Sequence, residues 1–289
     1  GAYFSKPDWH SEYYWWPRYA TPRRTQNYNI EKNPWRWNQF KEFTYNQISE
    51  LMHNYGSIDI LWLDGGWVNN PGTQSVLDMD RISQMARKAQ PGILFVDRTI
   101  HGKYENYQTP EQQIPDKQLP YPWETCMTLG VDWGYTPHAV FKSPTTVIAK
   151  LMEIVAKGGS LLLGVGPTPE GILQEEIVSR LDTIGEWMTK NGPAIYNTVT
   201  TPDYHSEGIW FTMNKNKKTM YALYSDPKAR TLPNYIEWEN NIPAKGSAVY
   251  CLQNGKKVRW EIKNYRVRVY LPQNLKTEVN ALAFSFTPQ

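Results

Sequence analysis

The chain has 289 residues and a formal net charge of +3 at pH 7, from 31 Lys and Arg against 28 Asp and Glu. The basic residues are scattered, which excludes the clustered positive charge of a protein that binds nucleic acid or an anionic membrane. No apolar run reaches the roughly 20 residues that span a bilayer, so membrane insertion is not predicted either. The length fits one large barrel or two domains.

The aromatic content is high, at 14% of residues with 13 Trp and 19 Tyr, many of them beside Gly, Pro or His in loop-like sequence. Such rings suit the apolar faces of sugar rings, whereas an aromatic-rich core would explain the same composition. Cys126 and Cys251 are too few for a disulfide framework and lack the paired spacing of a zinc or thiol redox site. Composition therefore favours a neutral ligand without settling its class.

Strand and helix patterns alternate over the first two thirds of the chain. A strand-like run around Tyr3 precedes an amphipathic helix that is predicted to begin at Asn33-Pro34 and end at Gly56. Residues 58–64 (IDILWLD) are so uniformly apolar that they predict a parallel strand covered on both faces. The remaining predicted elements are a helix at 80–90, a strand at 93–98, a helix from Ser143 to Gly158, a strand at 161–165 and a helix at 174–190.

This alternation predicts an α/β fold with a parallel sheet, either doubly wound or closed into a (β/α)8 barrel. We favour the barrel, because several strands end in polar or glycine-rich sequence, where barrel enzymes carry their chemistry. About five strands can be counted and a barrel closes with eight. We therefore expect residues 1–195 to be the C-terminal portion of a (β/α)8-like catalytic domain, whose missing N-terminal barrel segment belongs to the same polypeptide.

The pattern changes from about residue 196. Short alternating segments are separated by turns rich in Asn, Gly, Lys and Pro, as in antiparallel β-sandwiches. The predicted strands lie at 208–212, 219–224, 247–251, 257–260 and 267–271. Residues 196–289 are therefore predicted to form a β-sandwich domain without a catalytic group.

Asp64 stands at the end of the apolar strand 58–64 and is followed by two glycines and Trp67. A carboxylate at a barrel strand terminus is held by the sheet and open to the cleft, which suits a nucleophile. Helix capping or pairing with an arginine is the alternative. A glycosidase needs a second carboxyl group, and Glu111 or Glu124 could supply the acid. A separation of about 5–5.5 Å would indicate retention, and about 6.5–9.5 Å inversion.

The five histidines are widely separated and have no metal-ligand spacing, so neither a metal nor an organic cofactor is predicted. His10 and His101 lie beside loops at predicted strand ends, where their rings could contact sugar hydroxyls. A lone loop histidine is more often incidental.

Five motifs together resemble the α-L-fucosidases of glycoside hydrolase family 29, in the order found in that family. They are residues 3–10 (YFSKPDWH), 61–67 (LWLDGGW), 96–98 (VDR), 122–124 (PWE) and 158–167 (GGSLLLGVGP). The resemblance covers essentially the whole chain. It implies a (β/α)8-like domain followed by a β-sandwich, and hydrolysis of terminal α-L-fucose with retention through a fucosyl-enzyme intermediate.

The resemblance also assigns residues. Asp64 matches the family nucleophile, and Glu111 is the first choice for the acid/base, with Glu124 second. The residues implied to line or flank the sugar pocket are Tyr3, Trp62, Trp67 and Arg98.

Ser160 and Gly164 depart from the family, which usually has Asn at both positions. The expected substrate is a fucosylated oligosaccharide or glycoconjugate, and a secreted or periplasmic location is expected. A non-catalytic carbohydrate-binding barrel and a retaining glycosidase for another sugar stay open as alternatives.

Overall fold

A computed structural model describes residues 1–15, 27–66, 68, 76–98, 101–272, 275 and 277–289. The chain divides into two compact units, unit one over Gly1–Thr109 and unit two over Pro110–Gln289. Within the described residues, no helix has the length and apolar character needed to cross a membrane.

Unit one is a parallel sheet with two helices. Its elements are β1 (Ala2–Ser5), α1 (Pro34–Asn54), β2 (Ile60–Asp64), α2 (Met79–Ala89) and β3 (Leu94–Asp97). The strands lie in the order β1-β2-β3, and both pairs are parallel. The sequence prediction of alternating helix and parallel strand is confirmed here.

The two helices of unit one begin in different ways. The Asp78 side chain accepts a hydrogen bond from the Arg81 amide and caps α2. Pro34 begins α1 as predicted, but the Asn33 side chain makes no capping bond and donates instead to the Asn29 carbonyl. Proline at the first position thus fixes the start of α1 without a side-chain cap.

One face of the sheet in unit one packs on the helices. Leu61, Leu63 and Phe95 are buried and form one core with the apolar stripes of α1 and α2. The alternate β2 residues, Trp62 and Asp64 among them, are only half-buried. Within unit one, the described residues therefore bury one face of β2 fully, and the predicted burial of both faces is not met.

Unit two begins with a second parallel pair. Its first elements are β4 (Glu124–Thr128), α3 (Pro144–Ala156), β5 (Ser160–Gly164) and α4 (Glu175–Asn191). Strands β4 and β5 are parallel, with Glu124 opposite Ser160 and Thr128 opposite Gly164. In the described part of the chain neither parallel set closes on itself, so the (β/α)8-like barrel stays a prediction.

The rest of unit two is antiparallel. The strands are β6 (Thr198–Val199), β7 (His205–Ser206), β8 (Ile209–Asn214), β9 (Met220–Ser225), β10 (Tyr235–Trp238), β11 (Val249–Cys251), β12 (Lys256–Val258), β13 (Trp260–Lys263), β14 (Arg266–Tyr270) and β15 (Ala281–Phe286). One sheet has the order β12-β11-β15-β9-β8-β6, with β7 also paired to β8, and the other has the order β10-β14-β13. Buried residues of both sheets, including Phe211, Trp238 and Phe284, form a single core.

Helices α3 and α4 share a second core with this antiparallel region. Met152 and Trp187 pack with Leu223 and Ala281, and the Trp187 indole donates to the Ala281 carbonyl at 2.9 Å.

The boundary between the compact units lies after residue 109, whereas the antiparallel strands begin at β6. The domain division into 1–195 and 196–289 stays a prediction.

Candidate active site

Asp64 is the last residue of β2, at the carboxyl end of the sheet in unit one. In the parallel register Trp62 lies beside Tyr3 and Asp64 beside Ser5. Because side chains alternate along a strand, Tyr3, Trp62 and Asp64 lie on the face that the helices do not cover. The side chain of Asp64 retains 27% of its surface exposed.

Three predicted pocket residues surround the Asp64 carboxylate. The Tyr3 hydroxyl donates to Oδ2 at 2.6 Å, and Nη1 of Arg98 donates to Oδ1 at 3.1 Å. The Tyr3 ring stacks on Trp62 at 5.5 Å between centroids, and the Arg98 guanidinium lies 5.2 Å from the Trp62 ring centre. Tyr3, Trp62, Asp64 and Arg98, which lie up to 95 positions apart, form one group.

The carboxylate is held in its ionised form. Burial raises the pKa of Asp64 and is the largest single effect. The hydrogen bonds from Tyr3 and from the Gly65 backbone, with the charge and hydrogen bond of Arg98, together outweigh burial and leave the pKa below its ordinary value. An ionised carboxylate oriented on both oxygens is suited to nucleophilic attack.

The turn after Asp64 requires glycine for two reasons. Gly65 has φ +89°, a conformation that L side chains rarely adopt, and a Cβ there would lie 2.4 Å from Cδ of Pro7. The chain after β1 therefore packs directly against the turn that follows Asp64. This contact fixes the direction in which β2 ends.

A buried ion pair lies on the other face of the sheet and was not identified from the sequence. Nζ of Lys6 contacts Oδ1 of Asp97 at 2.6 Å, with 0% and 1% of the side chains exposed. Lys6 follows β1 and Asp97 ends β3, so the pair connects the two outer strands across β2. Lysine is usually exposed, and nothing in the pattern around Lys6 indicates burial.

Glu111 and Glu124 lie in unit two. Residues 110–112 pair in parallel with β4, since the Cys126 amide donates to the Pro110 carbonyl and the Gln112 amide donates to the Cys126 carbonyl. Oε1 of Glu111 accepts a hydrogen bond from the Trp133 indole at 2.9 Å. Trp133 lies in the loop after β4, so the Glu111 carboxyl group lies toward the carboxyl end of this parallel pair.

Glu124 lies at the opposite end of the same strand. It is the first residue of β4, paired with Ser160 at the start of β5, and it is half-buried. No strand was predicted between residues 98 and 143, so the position of Glu124 at the start of β4 was not expected from the sequence. Since catalytic groups of parallel α/β folds gather at the carboxyl ends of strands, its position is less suited to the chemistry than that of Glu111.

The remaining predicted site residues are less informative. The His101 ring nitrogen Nδ1 lies 3.1 Å from Oε2 of Glu105, whose pKa is raised by burial and partly lowered again by His101. His10 is exposed in a turn where its amide donates to Asp8. Trp67 lies outside the described residues. In the described part of the chain, no three His, Cys, Asp or Glu side chains are grouped to hold a metal ion.

Comparisons with known proteins identify the family of the chain. The family model described as alpha-L-fucosidase matches residues 1–193. The chain is 34% identical to the plasma alpha-L-fucosidase of Homo sapiens over 260 residues, which covers 80% of this chain and 51% of that protein. It is 28% identical to the plasma alpha-L-fucosidase of Pongo abelii, with the same coverage. The chain thus spans about half the length of the curated relatives it matches.

Solved structures share the fold. Alpha-L-fucosidase isoenzyme 1 from Paenibacillus thiaminolyticus superposes with a TM-score of 0.78 at 25% identity, over 99% of this chain and 71% of that one. A family 29 alpha-L-fucosidase from Bacteroides thetaiotaomicron, trapped as a covalent intermediate, gives 0.74 at 21% identity, over 99% and 67%. With the family model covering two thirds of its length, the chain belongs to the α-L-fucosidases of glycoside hydrolase family 29.

Proposed function

We propose that the protein is a retaining exo-glycosidase that removes terminal α-L-fucose from oligosaccharides or glycoconjugates. The observation that carries this proposal is the ionised Asp64 carboxylate at the end of β2, oriented by Tyr3 on one oxygen and by Arg98 on the other. Family membership supplies the sugar, since the site alone does not identify fucose.

In the first step, an oxygen of Asp64 forms a bond to the anomeric carbon while the glycosidic C–O bond breaks. The departing oxygen takes a proton from the neutral carboxyl group of Glu111, and a fucosyl ester of Asp64 remains.

In the second step, the Glu111 carboxylate takes a proton from water. The water oxygen bonds to the anomeric carbon while the ester bond to Asp64 breaks, which releases α-L-fucose and restores both carboxyl groups. No step requires a metal or an organic cofactor. Two inversions at the anomeric carbon give net retention.

Glu111 is proposed as the acid/base ahead of Glu124 because of its position along β4. Glu111 contacts the loop that follows the strand, whereas Glu124 begins the strand. We propose that Tyr3, Trp62 and Arg98 line the sugar pocket and that His10, His101 and Trp67 also contact the sugar.

We also propose that residues 1–195 belong to a (β/α)8-like barrel, that residues 196–289 form a β-sandwich, and that the protein is secreted or periplasmic.

The nucleophile is tested with Asp64→Gly in the whole protein. We expect turnover of an aryl α-L-fucoside to fall by at least about a thousandfold, because removing a covalent nucleophile abolishes the two-step route. Added azide should restore turnover and give β-L-fucosyl azide, since azide attacks from the face that Asp64 occupied. Unchanged turnover would exclude Asp64 as the nucleophile.

The acid/base is tested with Glu111→Gln and Glu124→Gln side by side. The true acid/base variant should lose kcat/KM on phenyl α-L-fucoside and keep most of it on a dinitrophenyl fucoside, whose departing group needs no proton. Its kcat on the dinitrophenyl fucoside should fall, because the second step still needs the base, and added azide should restore kcat and give α-L-fucosyl azide. The other variant should behave as the parent on both substrates. If only Glu124→Gln shows this pattern, the two assignments exchange.

A further inference from the structure

Trp133 donates a side-chain hydrogen bond to Glu111, the proposed acid/base. Its Nε1 donates to Oε1 of Glu111 at 2.9 Å, while 38% of the tryptophan remains exposed. An indole N–H donates a hydrogen bond and accepts none, so this contact can orient the carboxyl group without exchanging a proton with it. Neither the motifs nor the assigned site residues include Trp133.

The loop that carries Trp133 is held at its base. The Lys142 amide donates to the Leu129 carbonyl at 2.9 Å, and Nζ of Lys142 donates to the Thr128 carbonyl at 2.6 Å. Thr128 Oγ1 also donates to the Gly130 carbonyl at 2.7 Å. These bonds join the two ends of the loop at the last residue of β4.

Two glycines at the end of β5 provide the packing site for the same loop. A Cβ on Gly164 would lie 2.6 Å from the Trp133 ring, and a Cβ on Gly166 would lie 2.4 Å from the Gly134 backbone. Neither glycine has a φ in the left-handed region, so glycine is required at both positions for close approach. The Trp133 ring therefore packs directly on Gly164 at the end of β5, and the backbone that follows the ring packs on Gly166.

A general acid must hold its proton within hydrogen-bond reach of the departing oxygen, and small displacements of such a group cost rate. Glu111 is exposed on a segment that pairs with β4 through backbone bonds only over residues 110–112. A fixed donor to one carboxylate oxygen restricts rotation of the carboxyl group.

We propose that Trp133 is a positioning residue that orients the Glu111 carboxyl group for proton transfer, with its ring packed on Gly164 and the adjoining loop backbone packed on Gly166. The inference rests on the proposed role of Glu111 as the acid/base. In this proposal Trp133 acts on the reaction only through Glu111, the two glycines act only through the position of Trp133 and its loop, and no contact between Trp133 and the nucleophile is involved.

The test compares Trp133→Phe with the parent on two substrates. Phenylalanine keeps a ring on Gly164 but removes the N–H. We expect kcat/KM on phenyl α-L-fucoside to fall by about tenfold to a hundredfold, the effect of one hydrogen bond to a carboxylate, and kcat/KM on a dinitrophenyl fucoside, whose departing group needs no proton, to change by less than about threefold. Gly164→Ala, which displaces the indole, should give the same pattern.

Trp260→Phe is the matched control, because its indole donates to the Ser247 carbonyl in the antiparallel region and its removal should affect neither substrate. Equal losses on both substrates in Trp133→Phe, or none, would overturn the proposal. An inactive parent would contradict the proposed function instead. A crystal structure of Trp133→Phe then decides the inference alone: an unchanged Glu111 rotamer overturns it, and a rotated or disordered carboxyl group supports it.

Discussion

Tyr3 and Arg98 act on the two oxygens of Asp64 separately. The Tyr3 hydroxyl donates to Oδ2, and Arg98 donates to Oδ1 and adds a positive charge. Burial opposes both, because a half-buried carboxylate is less well solvated than an exposed one. Tyr3, the Gly65 backbone and Arg98 together outweigh burial and leave the pKa of Asp64 below its ordinary value.

We predict that Tyr3→Phe raises the pKa of Asp64, because it removes a hydrogen bond that favours the ionised form. The nucleophile must be ionised, so the acidic limb of kcat/KM against pH should move to higher pH. The measurement is a pH–rate profile on an aryl α-L-fucoside. Tyr55→Phe is the control, since its hydroxyl also donates to a carboxylate, Glu50, at the exposed end of α1. An acidic limb that stays in place in Tyr3→Phe would contradict the assignment.

At the scale of single residues, the sequence predicted those site residues that belong to recognisable motifs. Tyr3, Trp62, Asp64 and Arg98 were predicted and lie together. Trp133 was not predicted, although an aromatic residue in the glycine-bearing loop 130–135 was a usable signal. The general reason is that a contact between distant residues depends on the fold, which a local pattern does not contain.

At the scale of elements, the end of β2 depends on how closely the turn after β1 approaches it. Gly65 combines a left-handed backbone with a Cβ position already filled by Pro7. Gly56, after α1, has a similar φ of +82° and nothing within 4 Å of its Cβ position. Substitution of Gly56 would therefore cause backbone strain alone, whereas substitution of Gly65 would cause both backbone strain and steric overlap with Pro7.

We predict that Gly56→Ala costs about 1–2 kcal/mol of unfolding free energy through backbone strain alone and leaves activity unchanged. Gly65→Ala should cost more, because Pro7 must also move, and should lower kcat by displacing Asp64. Urea unfolding and fucoside hydrolysis measure the two effects. Equal destabilisation in both variants would show that the Pro7 contact is unimportant.

The buried Lys6–Asp97 pair connects β1 to β3. Removing one partner leaves the other charge buried without its counterion, so we predict that Lys6→Met costs about 3–5 kcal/mol of unfolding free energy. Replacing both residues, by Lys6→Met with Asp97→Leu, should recover much of this loss. Urea unfolding gives the values. Glu42→Gln, which breaks the exposed pair with Arg81, should have little effect, and a similarly small effect for Lys6→Met would contradict the account.

Most elements of the parallel region were predictable because long periodic helices and apolar strands carry strong local signals. Strand β4 was missed because polar residues conceal it. Thr125 and Thr128 are buried there, and their hydroxyls donate to the Gln113 and Gly130 carbonyls. A buried threonine with a backbone partner costs little, but in sequence it resembles a loop residue.

At the scale of the whole molecule, unit two joins helices to antiparallel strands through one shared core. Trp187 on α4 is almost fully buried and bonds to the carbonyl of Ala281 on β15. The change of sequence pattern near residue 196 marks a change from helices to antiparallel strands. The boundary of the compact unit depends instead on which residues are buried together, and buried residues on both sides of position 196 share one core. Sequence periodicity predicts the type of secondary structure but not this boundary.

We predict that Trp187→Ala destabilises unit two by about 3–5 kcal/mol, because it removes a large buried ring and leaves a cavity. The backbone amides of α4 and β15 should lose their protection against hydrogen exchange together. Trp35→Ala is the control, since that ring is exposed on α1 and should change stability by about 0.5 kcal/mol or less. Loss of protection in α4 with β15 unaffected would contradict a shared core.

The most direct test of the account is the identity of the residue that carries the sugar. Whole protein, incubated with 2-fluoro-fucosyl fluoride, digested and analysed by mass spectrometry, should carry one fluorofucosyl group on the peptide that contains Asp64, and Asp64→Gly should carry none. A label on any other carboxylate, or hydrolysis of α-L-fucosides by a protein that never becomes labelled, would contradict the proposal that Asp64 is the nucleophile.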